Sequence, residues 1–225
     1  MRIFIMVLLV VASQLTFASS TEGILPHLAL KELQSGNERF ISGKLLHLNQ
    51  NPSRRKTLTH DQKPNSVVLT CSDSRVPPEI LFDKGLGEIF VIRVAGNVLG
   101  AAAVASIEYA VEHLGTKLIV ILGHESCGAI KAALSTPRDK STGSVDLDSL
   151  ISTIHGNLEG LEKGWATNDK AFRKPSMKNV SAVAANLVKR SKIIHHKVAL
   201  GKISIVKAIY SIETGKVDFW DTGIK

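Results

Sequence analysis

Aromatic residues are scarce in this chain, 5% of 225 positions, and its net charge of +8 comes from basic residues spread along the whole length. A nucleic-acid surface that stacks bases on rings between clustered cations therefore has no stretch to occupy. The charge speaks to solubility and nonspecific contacts, not to fold. There is no internal repeat and no low-complexity tract, so the chain is not a repeat array. Beyond the first twenty or so residues, no run is apolar enough to cross a membrane. The rest of the composition is ordinary for a globular protein, with 44% hydrophobic and 21% charged residues. The length suits one domain with a sizeable core and is short for two.

The one long apolar run opens the chain, in "MRIFIMVLLVVASQLTFASSTEG". Arg2 supplies a positive start, Ile3 to Ala12 is apolar, and Thr16 and Ala18 are small residues placed two apart. This is the pattern of a secretory signal cleaved near Ala18. An uncleaved anchor is the alternative, but the run is shorter than the ~20 residues a spanning helix needs. The expected organisation is a signal peptide over 1–18 and one domain over 19–225. The mature protein is then exported, to a periplasm, with no membrane attachment after cleavage. Cysteine is almost missing: only Cys71 and Cys127. In an oxidising compartment an even pair is by default a disulfide.

After the signal, "LALKELQSGNERFISGK" carries Leu28, Leu30, Leu33 and Phe40 at helical spacing, which predicts an amphipathic helix ending near Gly43. "LNQNPSRRKTLTHDQKPN" is polar and Pro-bearing, and reads as a connecting loop. Three runs then look like strands: "SVVLT" (66–70), "EIFVIRV" (88–94) and "KLIVIL" (117–122). Each is almost continuously apolar and rich in β-branched residues, as in a sheet covered on both faces. "PPEILFDKG" can form a short helix, and "GAAAVASIEYAVEHLG" a strong one ending at Gly115. From Val145 to about Leu200 the pattern is mostly helical, in "VDLDSLISTIHGNLEGLEKGW" and "KNVSAVAANLVKRSKIIHHKVALG". "KISIVKAIYSIETGKVDFW" reads as a strand, a turn near Thr214–Gly215 and a second strand. The expected fold is α/β: a mostly parallel central sheet flanked by helices, with an N-terminal helical arm and a C-terminal antiparallel edge strand.

Chemistry gathers where the strands run out. Cys71 follows "SVVLT" directly, and His124 and Cys127 follow "KLIVIL" in "LGHESCGAIKAAL". In a parallel sheet both lie at the carboxyl ends of strands, where ligand sites collect. Gly123 is expected to permit a tight turn before His124. Gly128 and the helical run after it would put Cys127 near a helix N-terminus, which favours its thiolate. Two thiolates and an imidazole form a zinc set with one position open. The spacing alone leaves this reading and the disulfide both standing. Asp73 and Arg75, one residue apart beside Cys71, fit a metal site better than a disulfide; otherwise they are a helix cap and a surface ion pair.

"CSDSR" some fifty residues before "GHESCGA" resembles the β-class carbonic anhydrases, here of an exported bacterial type. The similarity extends to "LQSGNERF", "GEIFVIRVAGN", "SIEYAVEHLG" and "YSIETGKV", from about Leu28 to Trp220. The resemblance implies one zinc ion per chain, held by Cys71, His124 and Cys127. It implies a catalytic dyad of Asp73 and Arg75, and reversible hydration of CO₂ to bicarbonate and a proton by zinc-activated hydroxide. In one variant of the family a tryptophan and an arginine build a bicarbonate pocket and the dyad aspartate can close onto zinc. Here Val68 stands at the tryptophan position and Arg93 at the arginine position. The other, open variant lines its substrate channel with glutamine, phenylalanine and tyrosine, matched by Gln62, Phe90 and Tyr109. The resemblance further implies a homodimer or homotetramer, with the N-terminal helix embracing the partner and channel residues near the interface. Two alternatives stay open: a related zinc enzyme acting on a CO₂-like substrate, and an exported, non-enzymatic binding protein with a Cys71–Cys127 disulfide. His195 and His196, on a basic helix, read as surface residues, and "TPRDKSTGS" as a surface loop.

Overall fold

A computed structural model describes residues 23–161 and 171–221; the expected signal segment 1–18 lies outside them. Five strands form one sheet in the order β2-β1-β3-β4-β5. They are β1 (Ser66–Thr70), β2 (Ile89–Arg93), β3 (Leu118–His124), β4 (Ser204–Tyr210) and β5 (Val217–Trp220). β1 runs parallel to both β2 and β3, β3 runs parallel to β4, and β5 is antiparallel to β4. Every residue of β1 and β3 is buried, as their unbroken apolar runs require of central strands.

Side chains alternate across the sheet and each face meets helices. On one face Val67, Leu69, Ile119 and Ile121 pack against Ile107 of α4 (Ala101–His113) and Val180, Val183 and Leu187 of α7 (Arg173–Arg190). On the other, Val68, Val120 and Leu122 meet Ala29, Leu30 and Leu33 of α1 (Pro26–Ile41), and Leu81 of α3 (Pro78–Leu81). α1 is the expected N-terminal arm. Its approach is close: a Cβ on Gly36 would stand 1.8 Å from the carbonyl oxygen of Phe82. Asn37 beside it donates to the Leu81 and Gly215 carbonyls and accepts from the Val217 amide. A third cluster lies beneath the carboxyl edge of the sheet. There Ile130 and Ala133 of α5 (Gly128–Ser135) and Ile154 of α6 (Val145–Asn157) surround Cys71 and Cys127.

Several elements depart from the sequence expectation. The segment expected as loop contains α2 (Pro52–Thr57), started by Asn51, whose side chain accepts from the Arg54 amide, and by Pro52 at its first position. The helical stretch ending near Leu200 is divided into two helices, α7 and α8 (Lys192–Ala199). Ser191 adopts an extended conformation between them and caps α8 through its hydroxyl, which accepts from Ile194 N and donates to Glu108. β3 continues through Gly123 to His124, so Gly123 makes no turn. It is needed because α7 packs there: a Cβ would come within 2.6 Å of Val180 Cγ2.

Candidate metal centre

The chain passes from β1 to β2 on one side and then crosses to β3 on the other side of β1. The crevice between the carboxyl ends of β1 and β3 is thus a topological switch point, the usual position of a site in such sheets. Cys71 follows the last residue of β1, His124 is the last residue of β3, and Cys127 is the N-cap residue of α5. Their ligand atoms all lie within 4.8 Å of one another, and all three residues are buried. Both cysteines are free.

The donor set fits a metal ion. His124 Nδ1 lies 2.8 Å from the Glu125 carbonyl oxygen. A carbonyl can only accept, so Nδ1 carries the hydrogen and Nε2 presents a lone pair. That Nε2 is buried with no hydrogen-bond partner, a costly state unless something fills the space it faces. Hydrogen bonding from Cys127, supported by the Asp73 and Gly96 amides, lowers the Cys71 thiol below its usual range, against burial. Donating to Cys71, together with burial, pushes Cys127 up. A thiolate, a second sulfur and an imidazole lone pair converging from three directions are the ligands zinc takes.

Beside this triad Asp73 and Arg75 form a two-pronged pair. Arg75 Nε donates to Asp73 Oδ1 at 2.9 Å and Nη2 to Oδ2 at 2.8 Å. The Arg75 amide also donates to Oδ1 at 3.0 Å. The guanidinium holds the Asp73 carboxyl far below the usual carboxylate range. Nη2 of Arg75 reaches the Ser126 carbonyl as well, at 3.3 Å, tying the dyad to the loop that carries Cys127. Asp73 Oδ2 stands 3.9 Å from His124 Nε2, so the carboxylate borders the space the triad encloses while remaining engaged with Arg75.

Sequence reasoning missed several supporting contacts. Arg93 of β2, expected at the position of a pocket arginine, places Nε 3.1 Å from the Cys71 carbonyl and Nη2 2.6 Å from the Asp73 carbonyl. Its guanidinium is thereby committed to the backbone that joins a sulfur to the dyad. The Gly96 amide donates to Cys71 Sγ at 3.3 Å, and the Asp73 amide at 3.4 Å. The Glu125 carboxylate, next to His124, accepts from Arg173 at 2.6 Å, and Arg173 also reaches Asp218 of β5 at 2.7 Å. Only the Gly-Asn pair in "RVAGN", a turn signal, could have pointed to one of these.

The three expected channel residues gather elsewhere in the chain. Gln62 and Tyr109 line one cavity of about 570 Å³ with Leu58, Leu86 and Leu114, and the Phe90 and Tyr109 rings lie 6.4 Å apart. No residue of the triad or the dyad lines that cavity. It opens at the amino ends of β1 and β2: Phe90 pairs with Val67, roughly 13 Å along the strand from Cys71 at ~3.3 Å per residue. His195 and His196 are exposed on α8, and 137–143 is exposed loop.

Residues 66–217 match the family model described as carbonic anhydrase. The chain is 40% identical over 192 residues to carbonic anhydrase 2 of Mycobacterium tuberculosis, covering 85% of this chain and 91% of that one. It is 41% identical over 194 residues to a carbonic anhydrase of Mycolicibacterium smegmatis, covering 86% and 92%. Among solved structures it is similar to a tetrameric β-carbonic anhydrase from Sordaria macrospora, with a TM-score of 0.68, 27% identity and coverage of 87% and 96%. It is also similar to the Coccomyxa β-carbonic anhydrase in complex with acetazolamide, with a TM-score of 0.63, 27% identity and coverage of 86% and 82%. Set beside the triad at the sheet's switch point, these likenesses place the chain in the carbonic anhydrase family, in its β class.

Proposed function

We propose that this chain catalyses the reversible hydration of CO₂ to bicarbonate and a proton, with one zinc ion held by Cys71 Sγ, His124 Nε2 and Cys127 Sγ. The observation that carries the reading is the buried, unpartnered Nε2 facing two free sulfurs, with a carboxylate–guanidinium pair at its border. Zinc bound there supplies the Lewis acidity that makes water a nucleophile near neutral pH. The protein does the rest. Asp73 stays ionised and accepts a hydrogen bond from the attacking water, which aims its lone pair at the carbon of CO₂. Arg75 fixes that carboxylate by its planar fork and keeps it off the metal. With Val68 in place of a bulky ring and Arg93 committed to backbone carbonyls, the arrangement supports the open variant without a bicarbonate pocket. The test is CO₂ hydration with and without a zinc chelator, and metal analysis. Close to one zinc per chain, lost in Cys71→Ser together with activity, is expected. Normal zinc in Cys71→Ser would overturn the assignment.

Gln62, Phe90 and Tyr109 enter this reading through a second copy. The free edge of β2 carries half-buried Ile89, Phe90, Val91 and Ile92, and Leu25, Leu28, Ile41, Leu46 and Leu48 around α1 are exposed. An assembly that covers these surfaces, a homodimer or a tetramer of two, can bring the cavity of one chain to the metal centre of its partner. The charged start and apolar run before Ser19 support export to a periplasm. Sequencing the exported protein should find its first residue near Ser19, and an intact Met1 would defeat that.

A further inference from the structure

A chain of asparagines runs from exposed Asn186 of α7, through buried Asn157 of α6 and Asn179 of α7, to the sulfur of Cys71. Asn186 Nδ2 donates to Asn157 Oδ1 at 3.2 Å, and Asn157 Nδ2 donates to Asn179 Oδ1 at 2.8 Å. Asn179 Nδ2 donates to the Gly96 carbonyl at 2.8 Å and lies 3.4 Å from Asn97 Oδ1. The amide of that same Gly96 donates to Cys71 Sγ. Asn179 is fully buried on a face of α7 that also carries Ser176, Val180, Val183 and Leu187. Burying a carboxamide among apolar side chains is costly unless its donors and acceptors are met, and here they are met by this chain.

The turn it grips is an unusual one. Gly96 has φ 63°, ψ 18°, and Asn97 has φ 45°. Two consecutive left-handed residues persist only where the surroundings hold them. Gly96 is also closely packed, since a Cβ would meet Ile154 Cδ1 at 3.0 Å and Ala129 Cβ at 3.2 Å. This backbone conformation is what turns the Gly96 N–H toward the sulfur.

We propose that Asn179 is a positioning residue for Cys71: it pins the 95–97 turn so that the Gly96 N–H is aimed at Sγ, and Asn157 and Asn186 fix the orientation in which it does so. The proposal rests on Cys71 being a zinc ligand. An N–H bond to a metal thiolate withdraws charge from the sulfur, and contacts of this kind set how strongly a ligand donates. Asn179 thus acts on the donor strength of one ligand through the turn, without touching the metal or substrate.

Cobalt(II), substituted for zinc, reads the sulfur directly through its sulfur-to-metal charge-transfer absorption. Asn179→Ala should move that band to longer wavelength, because a thiolate with one hydrogen bond fewer gives up charge more easily. Asn157→Ala should move it the same way by less. Val183→Ala, a buried truncation on α7 away from the turn, should lower the melting temperature and leave the band in place. If Asn179→Ala does not accumulate as folded protein, Asn157→Ala against Val183→Ala decides. A band in the asparagine variants that moves no further than in Val183→Ala would overturn the positioning role while leaving the metal centre intact. Absence of the band in the native chain would remove the metal reading and this proposal with it.

Discussion

A single guanidinium decides how Asp73 is used. Both prongs of Arg75 lie on its two carboxylate oxygens, and the pair stands at the border of the triad, 3.9 Å from His124 Nε2. Without Arg75 the carboxylate is free to move onto the metal or to point away from the water it should orient. Arg75→Ala is expected to keep its zinc and lose activity by ~10²-fold or more, the scale for removing a partner that orients a metal site. Arg75→Lys should recover only part, since an ammonium has no planar fork. The measurement is kcat/KM with zinc determined on the same samples. Near-native activity in zinc-loaded Arg75→Ala would take the dyad out of the mechanism.

Among the elements, α1 depends on a buried charge. Asp83, just beyond α3, accepts from Arg39 Nε of α1 at 2.5 Å and from the Leu46 and His47 amides that follow α1. Burial alone would raise its carboxyl; the guanidinium and the two amides outweigh it and hold the group below the usual carboxylate range. The sign follows. A carboxyl depressed in the folded state adds stability that is fully present above its unfolded pKa of ~3.9 and is lost as pH falls through the folded value. Asp83→Asn should cost about 2 kcal/mol at pH 7, less than the ~3–5 for a fully buried pair because Arg39 is partly exposed. In urea unfolding the gap between native and variant should narrow below about pH 4. A gap that stays constant across that range would remove the charge from the argument and leave only packing.

At the scale of the whole molecule, the cavity of Gln62 and Tyr109 and the metal triad occupy opposite ends of one sheet. A two-fold assembly reconciles them if each centre borrows the cavity of its partner. Subunit mixing tests this. Cys71→Ser lacks the metal and Gln62→Ala/Tyr109→Ala lacks the cavity side chains, so each alone should be nearly inactive. In a random mixture half the dimers are mixed, and each mixed dimer has one intact centre, so about a quarter of native activity should return. Activity no higher than the sum of the separate variants would mean that each centre works within its own chain.

Much of this was legible in the residues themselves. The continuous apolar runs of β1 and β3 pointed to central, doubly covered strands, though the similar run of β2 forms a half-buried edge, and a cysteine and a histidine directly after the first two were expected at the same edge of a parallel sheet. That local logic carried the α/β class and the antiparallel last strand, and brought Cys71, His124 and Cys127 to one edge. It failed wherever the reason lay in a distant neighbour. Gly123 looked like a turn residue and proved to be the clearance for Val180. Arg93 stands at the position of a pocket arginine without the aromatic partner, and only the fold shows that it is spent on the carbonyls of Cys71 and Asp73. Asn157, Asn179 and Asn186 look like unremarkable polar positions on two helices, because nothing in local spacing shows that three carboxamides will line up behind a turn more than fifty residues away. The sequence by itself determined which groups could bind a metal, since ligand chemistry belongs to the side chain. Only the tertiary structure decided which groups hold those ligands in place, since hydrogen-bond partners are chosen by how the elements pack.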